Sequence, residues 1–406
     1  MMPCTKKEMN PKGSYYENDD YVTRQEFDNF VNNYVRRSSY ERIGGNAGGI
    51  ADYIVYKQGS IYKAKNGLDG GRFSQNTDFT TVMQACIDDS SDRKSIFIKP
   101  GIYSVASVIT PRAYLTINGG GINHTYLGLA SGADCDMFGD TSTPGADINY
   151  FNLNHMTLNG NKGNNSTGNG INLTTGGSYG YSNDQLTYLS IISFPGYGII
   201  HNNVHTLNFN NSYIESCDKG GICVSGAYFF CHNNTINHNG WVGINCADSI
   251  EAGTWGLLYA WITACQVSDN GNDESGKESG IHIGGKSVIM GCDIQQNDRF
   301  GISVIGDDIA IIGNIIHGNA VQVNAINFSS KRVKFFGNHV VGHANDYTFR
   351  NEEVSIDGYS EESANAEEPQ YAGHQEGAIV KFTDSGDASG DGIYIKDNAG
   401  NWVKLA

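Results

Sequence analysis

Ile289-Met290-Gly291-Cys292-Asp293-Ile294 and Ile311-Ile312-Gly313-Asn314-Ile315-Ile316 follow one six-residue template. It fits Phe209 to Ile214, Cys231 to Ile236, Ile262 to Val267 and Phe335 to Val340 as well, so one register holds for six successive units. The first and last positions are always apolar or Cys, as in strands that bury one side chain in two. The fourth position reads Ser212, Asn234, Cys265, Cys292, Asn314 and Asn338. A column of small, mostly polar residues suits stacked coils, because each side chain can hydrogen-bond the ones above and below it.

A second repeat lies between these units. Ile follows a small residue at Gly170-Ile171, Gly198-Ile199, Gly221-Ile222, Gly243-Ile244, Gly280-Ile281, Gly301-Ile302 and Ala325-Ile326, at spacings of 21 to 37 residues. Several instances continue as alternating strands, such as Ile222-Cys223-Val224 and Ile281-His282-Ile283. Turns of about 22 residues mark a β-solenoid, whereas sandwich strands would not keep a common template. The expected class is all-β: a single-stranded parallel β-helix over residues 50–350.

An open β-helix needs its first coil covered. Thr77 to Ile87 supplies an N-cap followed by apolar residues at helical spacing, predicting a capping helix near 77–88. The strand Ser95 to Ile98 and the turn Lys99-Pro100-Gly101-Ile102-Tyr103 follow. Helix, strand and Pro-Gly-x-Tyr turn together resemble the opening of the pectate-lyase-like β-helix superfamily, which includes many phage and archaeal-virus tailspikes. The resemblance covers roughly residues 50–350. It implies a right-handed solenoid and a polysaccharide-directed role, while the scaffold hosts lyases, hydrolases, epimerases and pure binders alike.

Flanking segments suggest attachment. Thr23-Arg24-Gln25-Glu26 reads as a capping box, with Phe27, Phe30, Val31 and Tyr34 on one helical face. A helix that short needs something to pack on, either copies of itself, a virion tail or baseplate protein, or its own β-helix. Residues 1–49 thus form a helical attachment or oligomerisation segment ending in the joint Gly44 to Gly49. Residues 351–376 read as an acidic linker and residues 377–406 as a small β tip module, too small to bury a core alone. A homotrimer sharing one core is expected.

Composition narrows the partners. The 406-residue chain holds 52 Gly against 7 Pro, only 17% charged residues and a net charge of −16. Nucleic acid is disfavoured for want of clustered Lys and Arg, and polyanions would be repelled without a bridging cation. The start Met1 to Lys7 lacks an apolar signal-peptide core, and no apolar run of membrane-spanning length occurs. Virion or extracellular-surface placement without membrane insertion is expected. Nine scattered cysteines, several at core positions, read as buried thiols.

Outward positions of successive coils line up, so residues distant in sequence form one surface. One column holds Tyr213, Thr235, Gln266, Asp293, Ile315 and His339; a second holds Glu215, Asn237, Ser268, Gln295 and His317; His238 and Asp269 lie further round the turn, with Asp298 beyond. Glycoside hydrolysis needs two carboxyl groups about 5 Å apart for retention or roughly 6.5–9.5 Å for inversion. Candidates are Glu215, Asp269, Asp293 and Asp298, the Asp269 pairings having the shorter axial reach. Each alone also reads as a solvated turn carboxylate. Lyase chemistry wants a basic side chain near Ca²⁺, and basic residues are scarce after Lys162; Arg299 beside Asp298 is the pairing to consider, with a surface salt bridge as the plain alternative.

Trp241, Trp255 and Trp261, grouped around the insertion Asp248 to Leu257, could stack on sugar rings or close a satellite core. Tyr213, His238, Arg299 and His317 complete the expected substrate-binding set. No cofactor or zinc spacing is present; Ser268 to Glu274 offers oxygen ligands for Ca²⁺ without EF-hand spacing. The leading expectation is a tailspike-type receptor-binding protein for host-surface glycan, with or without cleavage. The rivals are a polysaccharide-degrading enzyme outside any virion and a purely structural fibre.

Overall fold

The computed structural model describes residues 51–89, 94–139, 148, 150–174, 183–246, 259–271, 279–306, 308–317, 324–328, 333–341, 345–349, 354–357, 379–382, 392–396 and 402–404. Residues 1–50, which contain the expected N-terminal helix and Gly joint, lie outside them, as does most of the acidic linker.

Three antiparallel strands, Tyr53–Gln58, Ile61–Asn66 and Arg72–Asn76, open the described chain. The capping helix is Phe79–Asp88, where the Asp78 carboxylate accepts from the Thr80 and Thr81 amides. Phe79, Val82, Met83, Cys86 and Ile87 are buried beneath it. Its far end is fixed by a half-buried polar knot: Asp89 takes Lys94 Nζ at 2.5 Å and the Tyr53 hydroxyl, tying the helix end to the first strand. Tyr53 then pairs in parallel with Ile96, and the solenoid begins.

Each coil contributes strands to three parallel ribbons. Ribbon 1 stacks Ile171–Thr174, Ile199 to Val204, Gly220 to Val224, Val242–Cys246, Ser279–Ile283, Phe300–Val304 and Asn324–Phe328. Ribbon 2 includes Leu115–Gly119, Tyr228 to His232, Tyr259–Thr263, Lys286–Met290, Ile309–Ile312 and Val333–Phe336. It continues to Val354–Asp357, within the stretch that reads in sequence as a linker. Ribbon 3 is built of three-residue strands, Tyr213–Glu215, Thr235–Asn237, Gln266–Ser268, Asp293–Gln295, Ile315–His317 and His339–Val341. The template register is that of the structure: Phe209, Cys231, Ile262, Ile289, Ile311 and Phe335 succeed one another on ribbon 2 and are buried.

The Gly-Ile repeat has a steric cause. A Cβ on Gly221 would meet the Gly243 carbonyl at 2.6 Å, and one on Gly243 would meet that of Gly280 at 2.6 Å. Only glycine lets coils approach there.

Two corners bound ribbon 3, and each uses the same device. A residue at positive φ turns the chain: Asn211, Asn233, Ala264, Gly291, Gly313 and Gly337 before the strand, Ser216, His238, Asp269 and Gln296 after it. The next residue points inward and holds the coils together. Before ribbon 3 this is the expected column, where Ser212 N donates to Asn234 Oδ1 at 2.8 Å and Asn314 Nδ2 to Asn338 Oδ1 at 2.8 Å. Sulfur replaces the amide in mid-column at Cys265 and Cys292, and Cys265 Sγ stands 3.7 Å from Cys231 Sγ of ribbon 2. After ribbon 3 a second ladder, not foreseen from the template, runs Cys217, Asn239, Asn270, Asn297, with Asn239 Nδ2 to Asn270 Oδ1 and Asn270 Nδ2 to Asn297 Oδ1 both at 2.9 Å. All described cysteines are free thiols, and all but Cys135 are buried.

The segments Ile379–Phe382, Gly392–Lys396 and Trp402–Lys404 form a separate three-stranded antiparallel sheet.

Candidate functional site

Ribbon 3 presents the outward columns in the register read from sequence. Tyr213, Thr235, Gln266, Asp293, Ile315 and His339 succeed one another, followed two residues on by Glu215, Asn237, Ser268, Gln295 and His317. Ser268 is buried despite its place in that column. His238 and Asp269 occupy the positive-φ corner, with φ of 53° and 54°, a conformation that Asp and His tolerate better than branched residues.

Two of the candidate carboxylates, Glu215 and Asp293, meet imidazoles. Glu215 Oε1 lies 3.9 Å from His238 Nδ1, and Asp293 Oδ1 lies 3.3 Å from His317 Nε2, each across one coil. The Tyr213 phenol joins the first pair. Burial, reinforced by its hydrogen bond to Glu215, pushes its pKa up to about 12, so it stays a proton donor at neutral pH. Glu215 and Asp293 are three coils apart, about 14 Å along the axis at strand spacing, beyond the reach of a two-carboxyl hydrolytic pair.

Asp293 reaches His317 on the following coil. Asp298, whose amide donates to the Asn270 carbonyl, sits around the corner beside the Asp269 turn. Arg299 places its guanidinium 5.1 Å over the Phe300 ring. Asp218, at this edge, is bound to Lys162 Nζ at 2.7 Å.

Trp241 and Trp261 do not share one platform. Trp241 packs edge-on against Tyr197 at 6.0 Å, under Lys219, in a small cluster with Ile200 and Cys223. Trp261 is on ribbon 2, and Trp255 lies outside the described residues. Trp261 stacks on Phe230 at 4.9 Å and 12°, beside Tyr228 on Tyr259 at 5.2 Å and 11°. His205 flanks Tyr228 at 5.7 Å. Rings at coil spacing lie face to face along the axis, so they turn edges, not faces, to solvent. The sequence carries this array as Tyr228-Phe229-Phe230-Cys231 over Tyr259-Ala260-Trp261-Ile262, visible once the template is extended backwards.

One further pair was not legible as a site. His201 Nε2 and Asp184 Oδ2 are 2.8 Å apart and both side chains are fully buried. They replace apolar residues: His201 falls between Leu173 and Val224, and Asp184 precedes Leu207 and Phe229 in its column. Asp184 Oδ1 also accepts the Phe151 amide at 2.8 Å. Among the described residues no cluster of His, Cys, Asp and Glu could hold a metal ion; residues 272–278, covering part of the Ser268 to Glu274 stretch, lie outside them.

Comparison with known proteins bears on the fold. Residues 197–365 match the family model described as a right handed beta helix region. The chain is similar to the full-length tailspike protein 2 of an Escherichia coli O157:H7 bacteriophage, CAB120, with 16% identity and a TM-score of 0.52, covering 69% of this chain and 40% of that one. It is also similar to the A-module of the Azotobacter vinelandii mannuronan C-5 epimerase AlgE6, at 16% identity, 69% and 94% coverage and a TM-score of 0.46. No curated protein matches it in sequence. The fold is thus the right-handed parallel β-helix, shared with a phage tailspike.

Proposed function

We propose that the chain is a tailspike-type receptor-binding protein that holds host-surface polysaccharide along ribbon 3. The observation that carries this reading is the face itself: outward polar side chains in continuous register, with Glu215–His238 at 3.9 Å and Asp293–His317 at 3.3 Å. Carboxylates and imidazoles placed in pairs can accept from and donate to vicinal hydroxyls, and coils at about 4.8 Å spacing repeat that offer along the axis. The edges of the ribbon 2 aromatic array border the same side of the coil and give apolar contact beside the polar rows.

Cleavage, on this reading, resides where Tyr213, Glu215 and His238 converge, because a phenol held protonated, a carboxylate and an imidazole supply a donor and an acceptor at one point. Attachment to a virion through residues 1–49 and assembly as a homotrimer complete the proposal.

The test is incubation of the purified full chain with host envelope polysaccharide, measuring binding and sizing the products. Glu215→Gln with Asp293→Asn is expected to weaken binding at least tenfold while the melting temperature holds. Unsaturated ends would identify a lyase and reducing ends alone a hydrolase. Wild-type affinity in the double variant, or no binding to any envelope polysaccharide, overturns the proposal.

A further inference from the structure

Three sulfur atoms meet at one point of the interior. In the other coils the first template position holds Phe209, Ile262, Ile289, Ile311 or Phe335, and the fourth holds Ser212, Asn234, Asn314 or Asn338. At this point the first position becomes Cys231, and the fourth becomes Cys265 and then Cys292. All three side chains are buried, and all three are free thiols. Cys265 Sγ lies 3.7 Å from Cys231 Sγ and 3.6 Å from the Cys231 carbonyl oxygen, so the two residues touch through side chain and backbone across one coil step. Cys292, from the next coil, donates its S–H to Cys265.

The thiols do not replace the bonds of the amides they displace. Asn314 Nδ2 donates to the Asn338 side chain and to the Ile289 carbonyl, and Asn314 Oδ1 accepts the Cys292 amide. Cys265 has a single S–H to offer, 3.3 Å from the Thr263 carbonyl oxygen. Asn234 directs its Nδ2 to the Phe209 carbonyl and to Cys231 Sγ at 3.2 Å. The first inner ladder is thus interrupted between Asn234 and Asn314, where sulfur stands instead. Hydrogen bonds from the Cys231 and Cys292 thiols hold the Cys265 pKa well below the usual thiol value in spite of burial, with the Asn234 amide assisting. Burial pushes Cys231 the other way. Negative charge therefore gathers on the central sulfur, with a protonated thiol in contact with it, which is the arrangement that thiol oxidation requires.

We propose that Cys231 and Cys265 form a modification site, a thiol pair that peroxide converts into a disulfide bridging two successive coils. Hydrogen peroxide suits a buried site, because it is little larger than water and can enter when coils open locally. Cys265 sulfur attacks one peroxide oxygen and the O–O bond breaks. The departing hydroxide takes up the proton that Cys265 has lost, and Cys265 becomes a sulfenic acid. Cys231 then gives up its proton, attacks Cys265 Sγ and expels the hydroxyl group as water. Two thiols lose two electrons, one peroxide is reduced to two waters, and the bond gained is S–S. The sulfurs close from 3.7 Å to about 2 Å. The bridge ties Tyr228 to His232 on ribbon 2 to the following coil at the interruption of the ladder, and it restricts the unfolded chain. This inference does not depend on glycan binding or on assembly.

Peptide mapping by mass spectrometry tests it. The full chain is purified reduced, exposed to hydrogen peroxide in native buffer, alkylated in denaturant and digested. A peptide pair joined through Cys231 and Cys265, two hydrogens lighter than its thiol form and released by dithiothreitol, is expected. The linked chain should melt roughly 5 °C above the reduced one. Cys265→Asn gives the column the amide that Asn234 and Asn314 already carry, so it should fold, form no link and show no such rise. Cys231→Val should behave likewise, and Cys292→Ser should still link. Peroxide-treated wild type with Cys231 and Cys265 unlinked overturns the proposal. So does a bridge from Cys265 to Cys292 in its place, or the same rise in melting temperature in Cys265→Asn.

Discussion

The coils from residue 183 to 271 and those from 279 to 341 have nearly the same interior and different exteriors. Inside, both keep an aliphatic at the middle of every ribbon 3 strand, Ile214, Ile236 and Val267 in the first group, Ile294, Ile316 and Val340 in the second. Both carry inward amides at the corners. Outside, the first group shows Tyr228, Phe230, Tyr259, Trp261 and the Glu215–His238 pair, and the second shows bare glycine corners and Met290, Ile312 and Phe336. An inward residue is constrained by the coils above and below it, so stacking repeats it. An outward residue is constrained mainly by what binds it, so its variation carries the functional information.

Among the described residues, the buried Asp184–His201 pair departs from that uniformity, and breaking it should have the largest effect. Asp184→Leu leaves the His201 ring and the Phe151 amide buried without their partner, and is expected to cost about 3 kcal/mol in chemical denaturation. Adding His201→Val, which restores the apolar column of Leu173 and Val224, should recover most of that loss. A double variant no more stable than the single one would show that the pair does more than satisfy itself.

A smaller effect tests whether the two interiors are equivalent. Asn270 and Asn314 each donate Nδ2 to the next amide and to a backbone carbonyl, and each accepts a backbone amide from the coil before. Replacing either by Leu should cost about 2 kcal/mol. Unequal costs would mean that the upstream and downstream coils are not supported alike.

The smallest effect is a matter of pH. His155 stacks on Tyr188 at 4.7 Å, and partial burial pushes its pKa below the usual imidazole value. The neutral ring is the form the fold prefers. Its contribution is therefore complete above the unfolded pKa, near 6.5, and is lost as pH falls below that value. The melting temperature of wild type should drop slightly more between pH 7 and pH 5 than that of His155→Asn. Equal drops would remove His155 from the account.

Much of this was open to reading in the chain. The six-residue template set the strand register of ribbon 3, and Ser212, Asn234, Asn314 and Asn338 declared the first inner ladder. Asn239, Asn270 and Asn297 carried a comparable signal, an inward amide directly after each corner residue, but that column lies outside the template window. The aromatic stack was half visible: Trp261 stood out as a tryptophan, while Tyr228, Phe230 and Tyr259 become its partners only when coils are superposed.

By itself, then, the sequence determined the solenoid, its register and the outward columns, Ser268 apart, because a repeating local pattern can be stacked in only one phase without burying charge or exposing the core. Tertiary structure alone decided the pairings among those residues. Glu215 went to His238, Asp293 to His317, Trp241 to Tyr197, and His201 met Asp184. The first two depend on which way a side chain leans across a coil step of about 4.8 Å, and the others on which strands the coil brings together; no spacing along the chain records either choice.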